Sequence, residues 1–94
     1  MKRETALTDQ EFIGSRIANV RRLRNMKQVD LGAAIGVTDQ TISNWEVGLR
    51  TPRADYLSKL CDELQCSADY ILGITDELPF NDTAPSEEQD EPVD

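Results

Sequence analysis

Gly36-Val37-Thr38-Asp39-Gln40-Thr41-Ile42-Ser43-Asn44-Trp45-Glu46-Val47-Gly48 is the stretch that decides how this 94-residue chain folds. Gly36 supplies the left-handed backbone conformation that a tight corner needs. Val37 plugs the core beneath that corner, and Thr38 is a good N-cap for a new helix. The spacing therefore predicts a short helix that begins after Thr38 and ends at Gly48. Ile42 and Trp45 lie three residues apart and share its hidden side, which leaves Asp39, Gln40 and Asn44 on the opposite side.

Upstream, a second helix should run from Gln28 to Ile35, with Leu31 and Ile35 inward, and stop at Gly36. A link of three residues is too short for an antiparallel pair and suits two helices crossing steeply, the geometry of a helix-turn-helix. Earlier still, Thr8-Asp9-Gln10-Glu11 fits a capping box. Ile13, Ile17 and Val20 then form one apolar stripe with the arginines largely off it. Downstream, Pro52 marks a helix entry, and Leu57, Leu60, Cys61 and Leu64 form the buried face of a fourth helix. Ser67 caps a fifth, Ala68 to Leu72, closed by Gly73. No stretch alternates with period two, so the expected fold is all-α, a compact orthogonal bundle of five helices. Its expected limits are residues 9–74, after an N-terminal arm at 1–8 and before an acidic tail at 75–94.

The net charge of −8 at first argues against a polyanionic partner. Residues 75–94 hold eight acids (Asp76, Glu77, Asp82, Glu87, Glu88, Asp90, Glu91, Asp94) and no base, which leaves ten bases and ten acids in residues 1–74. Within that neutral part, residues 12–29 carry Arg16, Arg21, Arg22, Arg24 and Lys27 without an acid. The tail, with Pro79, Pro85 and Pro92 among polar neighbours, has a composition that cannot order itself by burying apolar surface. Leu78 and Phe80 are its exceptions, able to dock on the domain or on a partner.

Other classes are disfavoured. No apolar run approaches the roughly 20 residues of a membrane span, and no apolar segment comes after the first residues as in a secretory signal. With no histidine and two cysteines, Cys61 and Cys66, a zinc site lacks ligands, and the two thiols read as reduced core residues of a cytoplasmic protein. No cofactor is expected. No Gly-rich phosphate loop or pair of carboxylates framing a pocket suggests an enzyme.

The segment Gln28…Leu31…Ile35-Gly36-Val37-Thr38…Ile42-Ser43…Trp45-Glu46…Gly48…Pro52 resembles the Cro and phage-repressor helix-turn-helix family, also called the XRE family. Ile13-Gly14-x-Arg16-Ile17 ahead of it and Leu57…Leu60…Leu64…Ser67…Tyr70-Ile71-Leu72-Gly73 behind it match the flanking helices, so the resemblance covers roughly residues 12–73. It implies that the third helix lies in the major groove of DNA while the second crosses the backbone. Gln40 and Asn44, at i and i+4, would then face base edges. Each amide both donates and accepts, which suits the N6/N7 edge of adenine. Asp39 would accept from cytosine N4, although its first-turn position also favours an anion without DNA.

Gln28 resembles the family's glutamine that clamps the DNA backbone. Thr38, Ser43, Lys27, Arg50 and Arg53 are further candidates for phosphate contacts. Arg21 and Glu46 match positions where family members pair the first helix with the third, and Glu46, beside core Trp45, would need such a partner. Two positions depart from the family pattern. Lys27 stands where a Thr or Ser usually caps the second helix, and Gly32 replaces a usual Ala, which costs roughly 1 kcal/mol of helix stability while permitting closer packing.

The resemblance implies a transcriptional regulator, most often a repressor, binding a palindromic operator as a homodimer. Ile71, Leu72, Ile74, Leu78 and Phe80 are the expected dimer surface, being more apolar residues than one small core requires. The alternative is an antitoxin or interaction module whose acidic tail binds a basic partner, or a tail that covers the domain's own basic helix.

Overall fold

The computed structural model describes residues 7–78. Its first helix, α1 (Asp9–Leu23), opens on the complete capping box. The Glu11 amide donates to Thr8 Oγ1 at 3.1 Å, and the Thr8 amide donates to Glu11 Oε1 at 3.0 Å. Together these satisfy two of the donors that a helix start leaves without intrahelical partners. The chain turns through Asn25, at φ 59°, into α2 (Gln28–Ile35), then α3 (Asp39–Glu46), α4 (Ala54–Leu64) and α5 (Ala68–Leu72).

The N-cap of α2 is Lys27, whose ammonium has no acceptor to offer. Half a capping box survives, because Asp30 Oδ2 reaches back to accept from the Lys27 amide at 3.3 Å. Pro52 is buried one residue ahead of Arg53, the N-cap of α4, so the proline sits just outside the helix rather than in its first turn.

The core gathers one stripe from each helix. Ile17, Val20, Leu31, Ile35, Ile42, Trp45, Leu60, Leu64, Tyr70 and Ile71 are buried together, with Ile13, Val37, Leu57 and Cys61 packed partly against them. α1 lies against α3 and α5, and α2 against α3 and α4, while α5 also touches α4. α3 is thus held from both sides by helices that do not touch its outer face. The end of α4 is closed by Gln65 at φ 54°. The Arg24 guanidinium covers that end, with Nε donating to Leu64 O at 2.9 Å and Nη2 to Gln65 O at 3.2 Å. A cation there also meets the negative end of the helix dipole.

The expected dimer surface divides. Ile71 is fully buried and belongs to the core, because Ser67 caps α5 in a register that turns Tyr70 and Ile71 inward. Leu72 and Ile74 remain outside, at 43% and 71% exposed. Leu78 packs partly onto the core, four residues past the expected domain end, and Phe80 lies outside the described residues. Cys61 and Cys66 are free thiols. Burial pushes the Cys66 thiol up to about 12 and raises that of Cys61 as well.

Candidate nucleic-acid interface

The corner between α2 and α3 is built from backbone. Gly36, at φ 86°, and Val37 both donate to Gly32 O, at 2.9 and 2.8 Å. A Cβ on Gly32 would fall 2.6 Å from Val37 O, so the glycine that costs α2 helix propensity lets the corner fold back on it. Thr38 Oγ1 then accepts from the Thr41 amide at 3.1 Å and starts α3.

Ile42, fully buried, and Trp45 anchor α3 from beneath. The Trp45 ring lies 5.7 Å from that of Tyr56 of α4, tilted by 48°. On the α1 side the approach is closer still. A Cβ at Gly14 would fall within the van der Waals shells of the Trp45 and Glu46 carbonyl oxygens.

An ion pair bolts this contact. Arg21 Nε donates to Glu46 Oε2 at 2.6 Å and Nη2 to Oε1 at 3.0 Å, the bidentate geometry in which such pairs are strongest. Side-chain exposures of 11% and 5% mean that neither group has much water to fall back on. The hydrogen bonds that Arg21 donates to Glu46 raise its pKa further above its ordinary value, so the guanidinium stays charged. Arg21 Nη1 also donates to Met26 O at 2.8 Å, and Gln28 Nε2 donates to Glu46 Oε1 at 2.9 Å. One carboxylate on α3 therefore ties α1 and the first residue of α2, while Arg21 itself holds the turn between them.

Outward, α3 presents Asp39 and Gln40 exposed and Ser43 and Asn44 half-buried. Gln40 Nε2 donates to Asn44 Oδ1 at 3.0 Å. Asp39 Oδ1 accepts from the Gln40 amide at 3.0 Å, so its charge is used partly at the helix N-terminus. After α3 the chain folds back, and the Leu49 and Arg50 amides both donate to Asn44 O, at 2.9 and 3.2 Å. This holds the backbone of Arg50 against the C-terminal end of α3, where Val47, Leu49 and Arg50 are all exposed. Lys27 is exposed at the start of α2, and exposed Arg53 pairs with Asp55 at 3.2 Å.

Two helices crossing at a glycine corner, the second carrying polar side chains on an open face, define a helix-turn-helix domain. The helix-turn-helix family model matches residues 17–71, and the chain belongs to that family. It is 37% identical over 62 residues to Repressor protein C2 of Salmonella phage P22, a match covering 66% of this chain and 29% of that protein. It is 33% identical over 70 residues to the HTH-type transcriptional regulator y4dJ of Sinorhizobium fredii, covering 74% of this chain and 91% of the relative. Against a second regulator of that organism, y4aM, it spans half of the relative's length. Among solved structures it is similar to the P22 c2 repressor in complex with synthetic operator 9T. That match has a TM-score of 0.62 and 37% identity, covering 64% of this chain and 91% of that one.

Proposed function

We infer that this protein is a sequence-specific double-stranded DNA-binding transcriptional regulator, a repressor rather than an enzyme, acting in the cytoplasm. The observation that carries this reading is α3. Its anchor residues Ile42 and Trp45 are buried below, and exposed Gln40 and half-buried Asn44 carry the amides on its other side. A helix of this kind fits the major groove. The P22 repressor that this domain resembles was solved on operator DNA.

In this reading Gln40 and Asn44 meet base edges, and Asp39 has a second carboxylate oxygen for a cytosine N4 donor. Gln28 keeps one amide proton beyond the one given to Glu46, and offers it to a phosphate at the N-terminus of α2. Thr38, Ser43, Lys27, Arg50 and Arg53 contact the backbone around it. Two copies bind half-sites about 34 Å apart on one face of a palindromic operator, with exposed Leu72 and Ile74 as the candidate contact between them.

Selection of bound duplexes from a random library tests the reading. A dyad-symmetric motif is expected, and Gln28→Ala should then weaken binding to every sequence about equally. Recovery of no motif, with affinity indifferent to sequence, would sink it.

A further inference from the structure

We propose that Gln40 and Asn44 read DNA as one unit, in which Asn44 is the positioning residue that fixes the Gln40 amide for adenine. The proposal rests on the groove-reading role of α3 inferred above. Gln40 Nε2 donates to Asn44 Oδ1 at 3.0 Å, across one turn of the helix. A glutamine amide has two N–H donors and one carbonyl oxygen. In this arrangement the bond to Asn44 takes the N–H trans to Oε1, and the N–H beside Oε1 is kept for the base. That remaining donor and acceptor match N7 and N6–H2 of adenine.

The direction of control comes from how the two residues are held. Gln40 is exposed, and its long side chain with a broadly rotating terminal amide samples many orientations. Asn44 has the shorter side chain and is half-buried, and its backbone carbonyl is clamped by the Leu49 and Arg50 amides. The fixed residue therefore orients the free one. Ordering the Gln40 amide before DNA arrives removes part of the entropy cost of contact. Asn44, its carbonyl engaged, directs the Nδ2 donors outward to an acceptor edge, guanine O6/N7 or thymine O4. Two independent amides would each favour adenine. The locked pair instead specifies adenine at one position and guanine or thymine at the other.

The test uses the full chain and random-duplex selection, and then affinities on matched duplexes. The Gln40 position is the base whose preference disappears in Gln40→Ala. Asn44→Ala should lower the adenine preference at that same base by about 3- to 10-fold, the worth of one hydrogen bond. Asn44→Asp keeps the acceptor and loses both donors. It should retain that adenine preference and lose the guanine or thymine preference at the second base, while its added charge weakens binding overall.

The proposal is overturned if Asn44→Ala leaves the preference at the Gln40 base intact and erases only another base, since the two would then be independent readers. It is overturned equally if Asn44→Asp loses the adenine preference as fully as Asn44→Ala. Should Gln40→Ala erase no base preference at all, the groove-reading role of α3 itself fails, a distinguishable result. Circular dichroism of each variant checks that α3 remains helical.

Discussion

Arg21 of α1 and Glu46 of α3 meet as a two-pronged ion pair, at 2.6 and 3.0 Å, and the same carboxylate accepts from Gln28 at 2.9 Å. The angle of the candidate recognition helix and the side chain offered to a phosphate thus depend on one group. Glu46→Ala leaves a guanidinium largely shielded from water without its partner. A loss of about 3 kcal/mol of stability is expected, read by urea unfolding. Arg21→Met combined with Glu46→Leu should recover much of that loss, because removing both charges leaves no unpaired one behind. DNA affinity should not recover with it, since Gln28 still lacks its acceptor. A double variant that unfolds as readily as Glu46→Ala alone contradicts the assignment.

Gly14 sets how closely α1 can approach the end of α3. A methyl group there collides with two backbone carbonyls, of Trp45 and Glu46, and neither can move without tilting α3. Gly14→Ala should therefore destabilise the fold by about 1–3 kcal/mol despite the better helix propensity of alanine. Ser15→Ala, one residue away and exposed, is the control and should change stability little. A stable Gly14→Ala protein with undiminished DNA binding would show that the contact is softer than it looks.

Cys66 is held as a thiol, its pKa raised by burial from an ordinary 9.0 to about 12. Between those values the unfolded chain loses the proton while the folded one keeps it. Stability should therefore fall as pH rises above about 9, and Cys66→Ser should flatten that part of the profile. At pH 8, iodoacetamide should modify Cys66 slowly in the folded protein and quickly in urea, because the thiolate is the nucleophile. Rapid labelling of Cys66 without denaturant is the outcome that contradicts this.

Arg16 holds the chain after α5 against α1. Its guanidinium lies between the Phe12 ring, at 4.7 Å, and the Tyr70 ring, at 4.1 Å. It donates to Thr75 O at 3.3 Å and pairs with Asp76. Arg16→Ala should cost about 1–2 kcal/mol, the sum of two cation–π contacts at roughly 0.5–1 kcal/mol each. It should also speed cleavage after Glu77 by a glutamate-specific protease. Arg16→Lys retains charge but loses the planar fork, and should fall between the two. An unchanged cleavage rate in Arg16→Ala would mean that Leu78, packed on the core, holds this segment alone.

The helices and the glycine corner were legible because their signals are local. Thr8 with Glu11, Thr38, Ser67, Gly36 and Gly73 each fix a boundary through bonds within a few residues. The same holds for the outer face of α3, where the i, i+4 spacing of Gln40 and Asn44 already puts them side by side. Ile71 is buried in the core rather than at a dimer surface, a difference the sequence hides because a five-residue helix is too short for its periodicity to tell inside from outside. Pattern alone could not distinguish it from exposed Leu72.

By itself the sequence determined the five helices, their order, and the turn between α2 and α3, because caps, turns and apolar spacing are set by near neighbours along the chain. The tertiary structure alone decided that Glu46, expected to pair with Arg21, also serves Gln28, that Gly14 must lack a side chain, and that Arg16 holds the chain beyond α5. Those contacts join residues 18 to 60 positions apart. They exist only once the helices have taken their crossing angles, and no spacing along the chain records such an angle.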